Sequence, residues 1–192
     1  GLFHVSRKLC ESTPNAHILD QYANNDNPDA HEEGTAVEIW DDFNGKIDMI
    51  VTGVGTGGTI TGIAKYLKQK NPNIVIVGAD PYGSILGGGD DIHPYKVEGI
   101  GYDFFPDVLD NSLVDKYIKV NDENSFDMAR QLIKKEGLLC GGSSGTVVWA
   151  ALQTAQKLKE GQNCLCILAD GIRNYMSKFV ADEWMEKNNF KK

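Results

Sequence analysis

The chain contains no long apolar run, and nothing in it approaches the roughly 20 hydrophobic residues that span a bilayer. The N-terminal stretch Gly1–Cys10 lacks the basic region, apolar core and cleavage site of a signal peptide. Basic residues are outnumbered, 19 Lys and Arg against 27 Asp and Glu, for a net charge of −8. That balance argues against nucleic acid or an anionic membrane as the main partner, although a local pocket can still hold one phosphate. Cysteine is scarce: Cys10, Cys140, Cys164 and Cys166 form neither a disulfide framework nor a C-x-x-C metal motif. His4, His17, His31 and His93 are scattered with no partnering pattern, so no metal is expected and each reads as structural or solvated. These absences leave a cytosolic protein. Its 192 residues, 41% hydrophobic and 24% charged, suffice for one globular domain with a real core.

From about residue 47 onward, apolar runs alternate with helical stretches. Asp48–Thr52 reads as a short buried strand, followed by a glycine loop and a helix from about Thr59 to Lys70. Asn71-Pro72-Asn73 stops that helix, and Ile74–Gly78 is the next strand. The glycine-rich loop Gly83–Asp91 opens a segment with few periodic signals, up to a strand at Asp115–Val120. Asn121 or Asp122 caps a helix running to Glu136, which Gly137 ends. Ser143 or Ser144 opens a helix to about Glu160, Cys164–Leu168 is a strand, and Asn174–Asn188 reads as a closing amphipathic helix. On a strand Cys164 and Cys166 face the same side, which makes them small core residues. This alternation predicts an α/β fold, a parallel sheet with helices on both faces. Residues 1–22 stand apart as a helix-then-strand fragment carrying Phe3, Leu9 and Ile18, followed by the polar stretch Asn24–Pro28. They read as the tail of a smaller subdomain, with residues 23–192 as the large α/β domain.

The strongest local signal is Gly53-Val-Gly55-Thr-Gly57-Gly58-Thr59, between the first strand and its helix. Glycines let the backbone approach an anion, and the N–H groups and dipole of the helix start then favour a phosphate. Two readings compete. Gly53-x-Gly55-x-x-Gly58 matches the dinucleotide fingerprint, and Asp80 follows the next strand where a ribose-binding acid would sit, which points to NAD. Against that, Thr56 and Thr59 add hydroxyl donors suited to a phosphate monoester. A second glycine–hydroxyl loop, Cys140-Gly141-Gly142-Ser143-Ser144-Gly145, also begins a helix.

At these residues the chain resembles the β-family (fold type II) of pyridoxal-phosphate (PLP) enzymes, and within it the cystathionine β-synthases. The shared stretches are Gly55–Gly62, Gly78–Pro81 with Gly83–Leu86, Val97–Phe104, Glu136–Gly145, and Ile172–Tyr175 with Lys178-Phe179. The first loop is shared with cysteine synthases, whereas Glu98–Phe104, Arg173–Tyr175 and His17–Tyr22 are more particular to cystathionine β-synthases. The resemblance implies that Gly55, Thr56, Gly57, Gly58 and Thr59 bind the phosphate of pyridoxal 5'-phosphate and that the Ser143 hydroxyl faces the pyridine nitrogen. It implies that Gln21, Tyr22, Gly99 and Tyr102 line the substrate side.

The implied reaction is a β-replacement joining L-serine and L-homocysteine to cystathionine, in a homodimer. Cysteine synthase, acting on O-acetylserine and sulfide, is the same-class alternative. Ala169 and Gly171 stand where the family pattern has a proline and a serine around Asp170. The family's Schiff-base lysine and any haem ligands would precede Gly1, so the upstream half of the core is an expected partner and these residues alone are expected to be inactive.

Overall fold

The computed structural model describes residues 1–190. Its centre is a four-stranded, wholly parallel sheet of β1 (Met49–Gly53), β2 (Val75–Pro81), β3 (Lys116–Val120) and β4 (Cys164–Cys166), in the order β3-β2-β1-β4. The period-2 alternation of side chains splits the apolar residues between two clusters. Ile50 of β1, Ile76 of β2 and Leu165 of β4 face one cluster, which Ile60, Ile63 and Leu67 of α4 (Gly58–Lys70) complete. Met49, Val51, Val77 and Ala79 face the other, with Val147, Ala150 and Ala151 of α6 (Gly142–Thr154). Both faces of the sheet are covered by helices, and the α/β expectation holds.

Cys164 and Cys166 share the α6-side face as expected, half-buried against the second cluster. α5 (Asp122–Gln131) begins at Asn121, whose side chain accepts from the Asn124 N–H at 2.8 Å, and Gly137 closes the following π-turn at φ 70°.

Several boundaries differ from the sequence reading. A helical stretch over α2 (Asp26–Ala30), a π-helical turn (His31–Thr35) and α3 (Ala36–Asp42) replaces the expected polar stretch. Pro28 is the third residue of that stretch, within the first turn, where a missing N–H costs no hydrogen bond. The expected closing helix Asn174–Asn188 is two short pieces, a 3₁₀ turn at Ile172–Tyr175 and α7 (Asp182–Lys187). The interruption folds Phe179 inward, fully buried and stacked on Phe126 with ring centroids 5.5 Å apart. The helix expected to reach Glu160 ends at Thr154 and tightens into a 3₁₀ turn to Lys157.

At the front, α1 (Leu2–Ser12) buries none of its residues, and no strand forms near Ile18. Leu2, Val5, Leu9 and Leu19 stay exposed, while Phe3 packs edge-on against Tyr22 at 5.1 Å and Phe104 at 5.9 Å.

Candidate active site

In a parallel sheet the loops that follow the strands gather at one edge. There, the turn between β1 and α4, the Glu98–Tyr102 strip, the start of α6 and the segment after β4 enclose a cavity of about 390 Å³. Gly55, Thr56, Gly57, Thr59, Gly99, Tyr102, Ser143 and Gln21 all line it. Gly58 and Tyr22 stand one layer back. Gly58 is buried at the start of α4, and the Tyr22 hydroxyl shares a 3.1 Å hydrogen bond with that of Tyr102.

Steric demands explain the glycines. Gly57, the residue before α4, has φ +90°, where a side chain is strained. A Cβ on Gly55 would lie 2.6 Å from the Gly99 carbonyl oxygen, and one on Gly58 would lie 1.9 Å from Asn27 Oδ1. Across the cavity Gly99, at φ +84°, has open space where a Cβ would point.

The two threonine hydroxyls are held from behind by α2 and the π-turn. Asn27 Nδ2 donates to Thr56 Oγ1 at 3.0 Å and to the Gln21 carbonyl at 2.8 Å. His31 Nε2 meets Thr59 Oγ1 at 3.2 Å while its Nδ1 meets Thr35 Oγ1 at 2.9 Å. Burial holds the His31 pKa below its ordinary value. Because Asn27 can only donate through its amide nitrogen, it leaves the Thr56 hydroxyl hydrogen free for a further acceptor. The sequence alone singles out neither residue; His31, read there as structural or solvated, is a half-buried structural side chain that meets Thr59 and Thr35. A signal did exist: Asn27, His31 and Thr35 recur every four residues, a polar stripe on one helix face.

The second helix start forms the opposite wall. Gly141 precedes α6, and its N–H donates to the Asp170 carbonyl at 3.0 Å; a Cβ there would lie 2.0 Å from Asp170 Oδ1. Ala169 and Asp170 line the cavity, and Gly171 bridges Cys140, so the departures around Asp170 leave this wall in place. Ser143 is 6% exposed, its hydroxyl uncommitted to any described residue, whereas the Ser144 hydroxyl is fully buried without a hydrogen-bond partner.

The two carboxylates lining the cavity are both engaged. Asp170 accepts from the Tyr175 hydroxyl at 2.6 Å, and Glu98 pairs with Lys178 at 2.5 Å. Burial first, and then the Asp170 hydrogen bond and charge, push the Tyr175 pKa up. Burial, followed by the Tyr22 hydrogen bond, does the same for Tyr102. No lysine among the described residues lines the cavity.

These residues fit a phosphate monoester carrying a flat ring. A helix start without acidic residues in its first turn meets two hydroxyls and a side-chain-free backbone, and a second helix start carries a free hydroxyl. They do not fit a dinucleotide. Asp80 is fully buried, ion-paired with Lys119 at 2.7 Å and bonded to the Gly87 N–H, so no ribose can reach it.

Comparison with known proteins gives the family. The chain is 55% identical over 190 residues to a cystathionine beta-synthase of Dictyostelium discoideum, and 54% identical over 193 residues to that of Rattus norvegicus. These alignments cover 97% and 98% of this chain but 38% and 34% of the relatives, so the chain spans little more than a third of their length. A cysteine synthase of Helicobacter pylori is 42% identical over 180 residues, covering 94% of this chain and 59% of its own. The crystal structure of an O-acetylserine dependent cystathionine beta-synthase from Helicobacter pylori superposes with a TM-score of 0.88 at 41% identity, over 93% of this chain and 58% of that one. The profile of one family, described as pyridoxal-phosphate dependent enzyme, matches residues 3–170. With the fold, the cavity and this match in agreement, the chain belongs to the pyridoxal-phosphate dependent enzymes.

Proposed function

We propose that this chain is the part of a cystathionine β-synthase-like enzyme that holds PLP and one side of the substrate, in a reaction that replaces the β-hydroxyl of L-serine with the thiol of L-homocysteine. The observation that carries the reading is the meeting of two glycine–hydroxyl helix starts in one cavity. Bound there, PLP supplies the electron sink that makes an amino acid's α-proton acidic and lets its β-substituent leave.

The chain's own groups bind and orient. Thr56, Thr59 and the N–H groups that open α4 donate to the phosphate, with Gly55, Gly57 and Gly58 keeping the backbone close. Asn27 and His31 fix the directions of the two threonine hydroxyls. Ser143 meets the ring nitrogen. A neutral hydroxyl there would favour protonation of that nitrogen less than a carboxylate would, which would suit loss of a β-substituent. Gln21, Gly99 and Tyr102, with Tyr22 bracing Tyr102, form the substrate side. The lysine that binds PLP covalently and moves the α-proton is assigned to the upstream part of the core. Residues 1–22 are assigned to the smaller subdomain and 23–192 to the large one, in a cytosolic homodimer.

The test is purification of the full-length protein, assay of serine plus homocysteine for cystathionine, and borohydride treatment. The expected result is turnover together with visible absorbance that reduction fixes to the protein. Colourless protein retaining a nicotinamide dinucleotide would refute the proposal. One second reading has a specific observation behind it: a cysteine synthase and an O-acetylserine dependent enzyme both match nearly the whole chain. Faster turnover of O-acetylserine with sulfide than of serine with homocysteine would select it.

A further inference from the structure

Behind the Glu98–Tyr102 strip lies an ion pair between a fully buried carboxylate and a partly buried lysine, which the proposed chemistry does not use. Asp80, the penultimate residue of β2, is 0% exposed, and its Oδ2 accepts from Lys119 Nζ at 2.7 Å and from the Gly87 N–H at 2.8 Å. Its Oδ1 is buried with no partner. The Lys119 ammonium, reaching over from β3, also donates to the carbonyls of Pro81, at 3.3 Å, and Ser84. The ammonium therefore sits as a tethered cation in a cage of one carboxylate and two carbonyl oxygens. It uses all three of its donors, and the cage closes the turn that follows β2.

What that turn holds gives the cage its consequence. The Ser84 hydroxyl donates to the Tyr102 carbonyl at 3.1 Å and accepts from the Tyr102 N–H at 3.0 Å. Ile85 N–H adds a 2.9 Å bond to the same carbonyl. Tyr102 follows Gly99 and Gly101, at φ +84° and +81°, so the strip leading to it is built from pliable backbone. Beyond Ser84 and Ile85, one backbone bond ties the strip to the rigid sheet end, from Gly101 N–H to the Val54 carbonyl at 2.8 Å. The chain of contacts runs from Asp80 to Lys119 to Ser84 to Tyr102, and ends in the cavity.

We infer that Lys119 is a positioning residue which, caged by Asp80 and the Pro81–Ser84 turn, fixes the Tyr102 backbone and so sets affinity for the amino-acid substrate. The inference rests on the assignment of Tyr102 to the substrate side. Lys119 touches neither the phosphate loop nor Ser143, so its loss should spare the cofactor.

The test uses the full-length protein with Lys119→Met, and with Asp80→Asn/Lys119→Met, which removes both charges so that no lone carboxylate stays buried. Amide hydrogen exchange at Gly101 and Tyr102 should speed up in both variants. KM for serine should rise about 10-fold while kcat and PLP content stay within about two-fold of the parent. A folded double variant with unchanged exchange at these amides would overturn the inference, as would an unchanged KM. A parent protein without PLP would sink the proposed function instead, and the exchange rates would still decide whether Lys119 holds Tyr102.

Discussion

Gly58→Ala offers a quantitative probe of how the phosphate loop is supported. The new methyl would point at Asn27, 1.9 Å from Oδ1, 2.3 Å from Cγ and 2.7 Å from Nδ2. The Asn27 side chain can rotate away, but only by giving up its bonds to Thr56 and to the Gln21 carbonyl. At about 0.5–1.5 kcal/mol each, their loss costs about 1–3 kcal/mol. Alanine recovers up to about 1 kcal/mol of helix propensity. The net destabilisation is therefore about 0–3 kcal/mol, read as roughly 2–4 °C of melting temperature per kcal/mol in a domain of this size.

The sharper result comes from the double-mutant cycle. In Asn27→Ala the bonds are already gone and the space is open, so adding Gly58→Ala should be neutral or stabilising. The coupling between the two sites should then be about 1–3 kcal/mol. Urea unfolding of the four proteins measures it. Stabilities that add to within about 0.5 kcal/mol would refute the account, since the methyl would then not be displacing Asn27.

Three further outcomes are expected. Ser143→Asp should lower β-replacement steeply while PLP content falls less, because the charge of a carboxylate there would favour protonation of the ring nitrogen. If Ser143→Asp and Ser143→Ala both leave turnover unchanged, Ser143 only opens a helix. Burial lowers the His31 pKa from 6.5, so below about 6.5 the unfolded chain takes up this proton before the folded chain does, and stability falls as the pH drops. Urea unfolding at pH 7 and pH 5 should show a larger acid loss in the parent than in His31→Gln, and equal losses would rule this out. These 192 residues by themselves should convert no serine and homocysteine, and turnover without added upstream core would redirect attention to Lys46, Lys65 and Lys96.

The sheet and both glycine loops were legible because their signals are local. Apolar runs such as Met49–Val51 and Ile74–Val77 lead up to a glycine, Gly53 and Gly78, and each glycine–hydroxyl loop adjoins its own helix. The parts that escaped depend on contacts distant in sequence. Asn27 and His31 acquire meaning only when their helix lies across the start of α4. Lys119 and Asp80 look like ordinary surface charges until β3 pairs with β2, sets them opposite each other and buries the carboxylate. The broken closing helix is a tertiary effect, since turning Phe179 into the core outweighs a continuous amphipathic pattern. The dinucleotide fingerprint misled for a related reason: spacing placed Asp80 correctly along the chain, while its burial withdrew it from any ligand.

The strand order carries a consequence for how the site comes into being. β1, the second inner strand, pairs on one side with β4, Met49 opposite Cys164, so the latest of these four strands to be synthesised completes the neighbourhood of the earliest of them. Such a sequence-distant pairing must close a long loop before it is rewarded, and non-local sheets form slowly for that reason. The phosphate loop can be shaped as soon as β1, α4 and β2 exist, but the Ala169–Asp170 wall arrives only with β4. During synthesis the chain should therefore pass through a stage with an open, half-built cavity. A ligand that bridges the two helix starts would bind after that stage has ended, and would then draw the folding equilibrium toward the finished sheet.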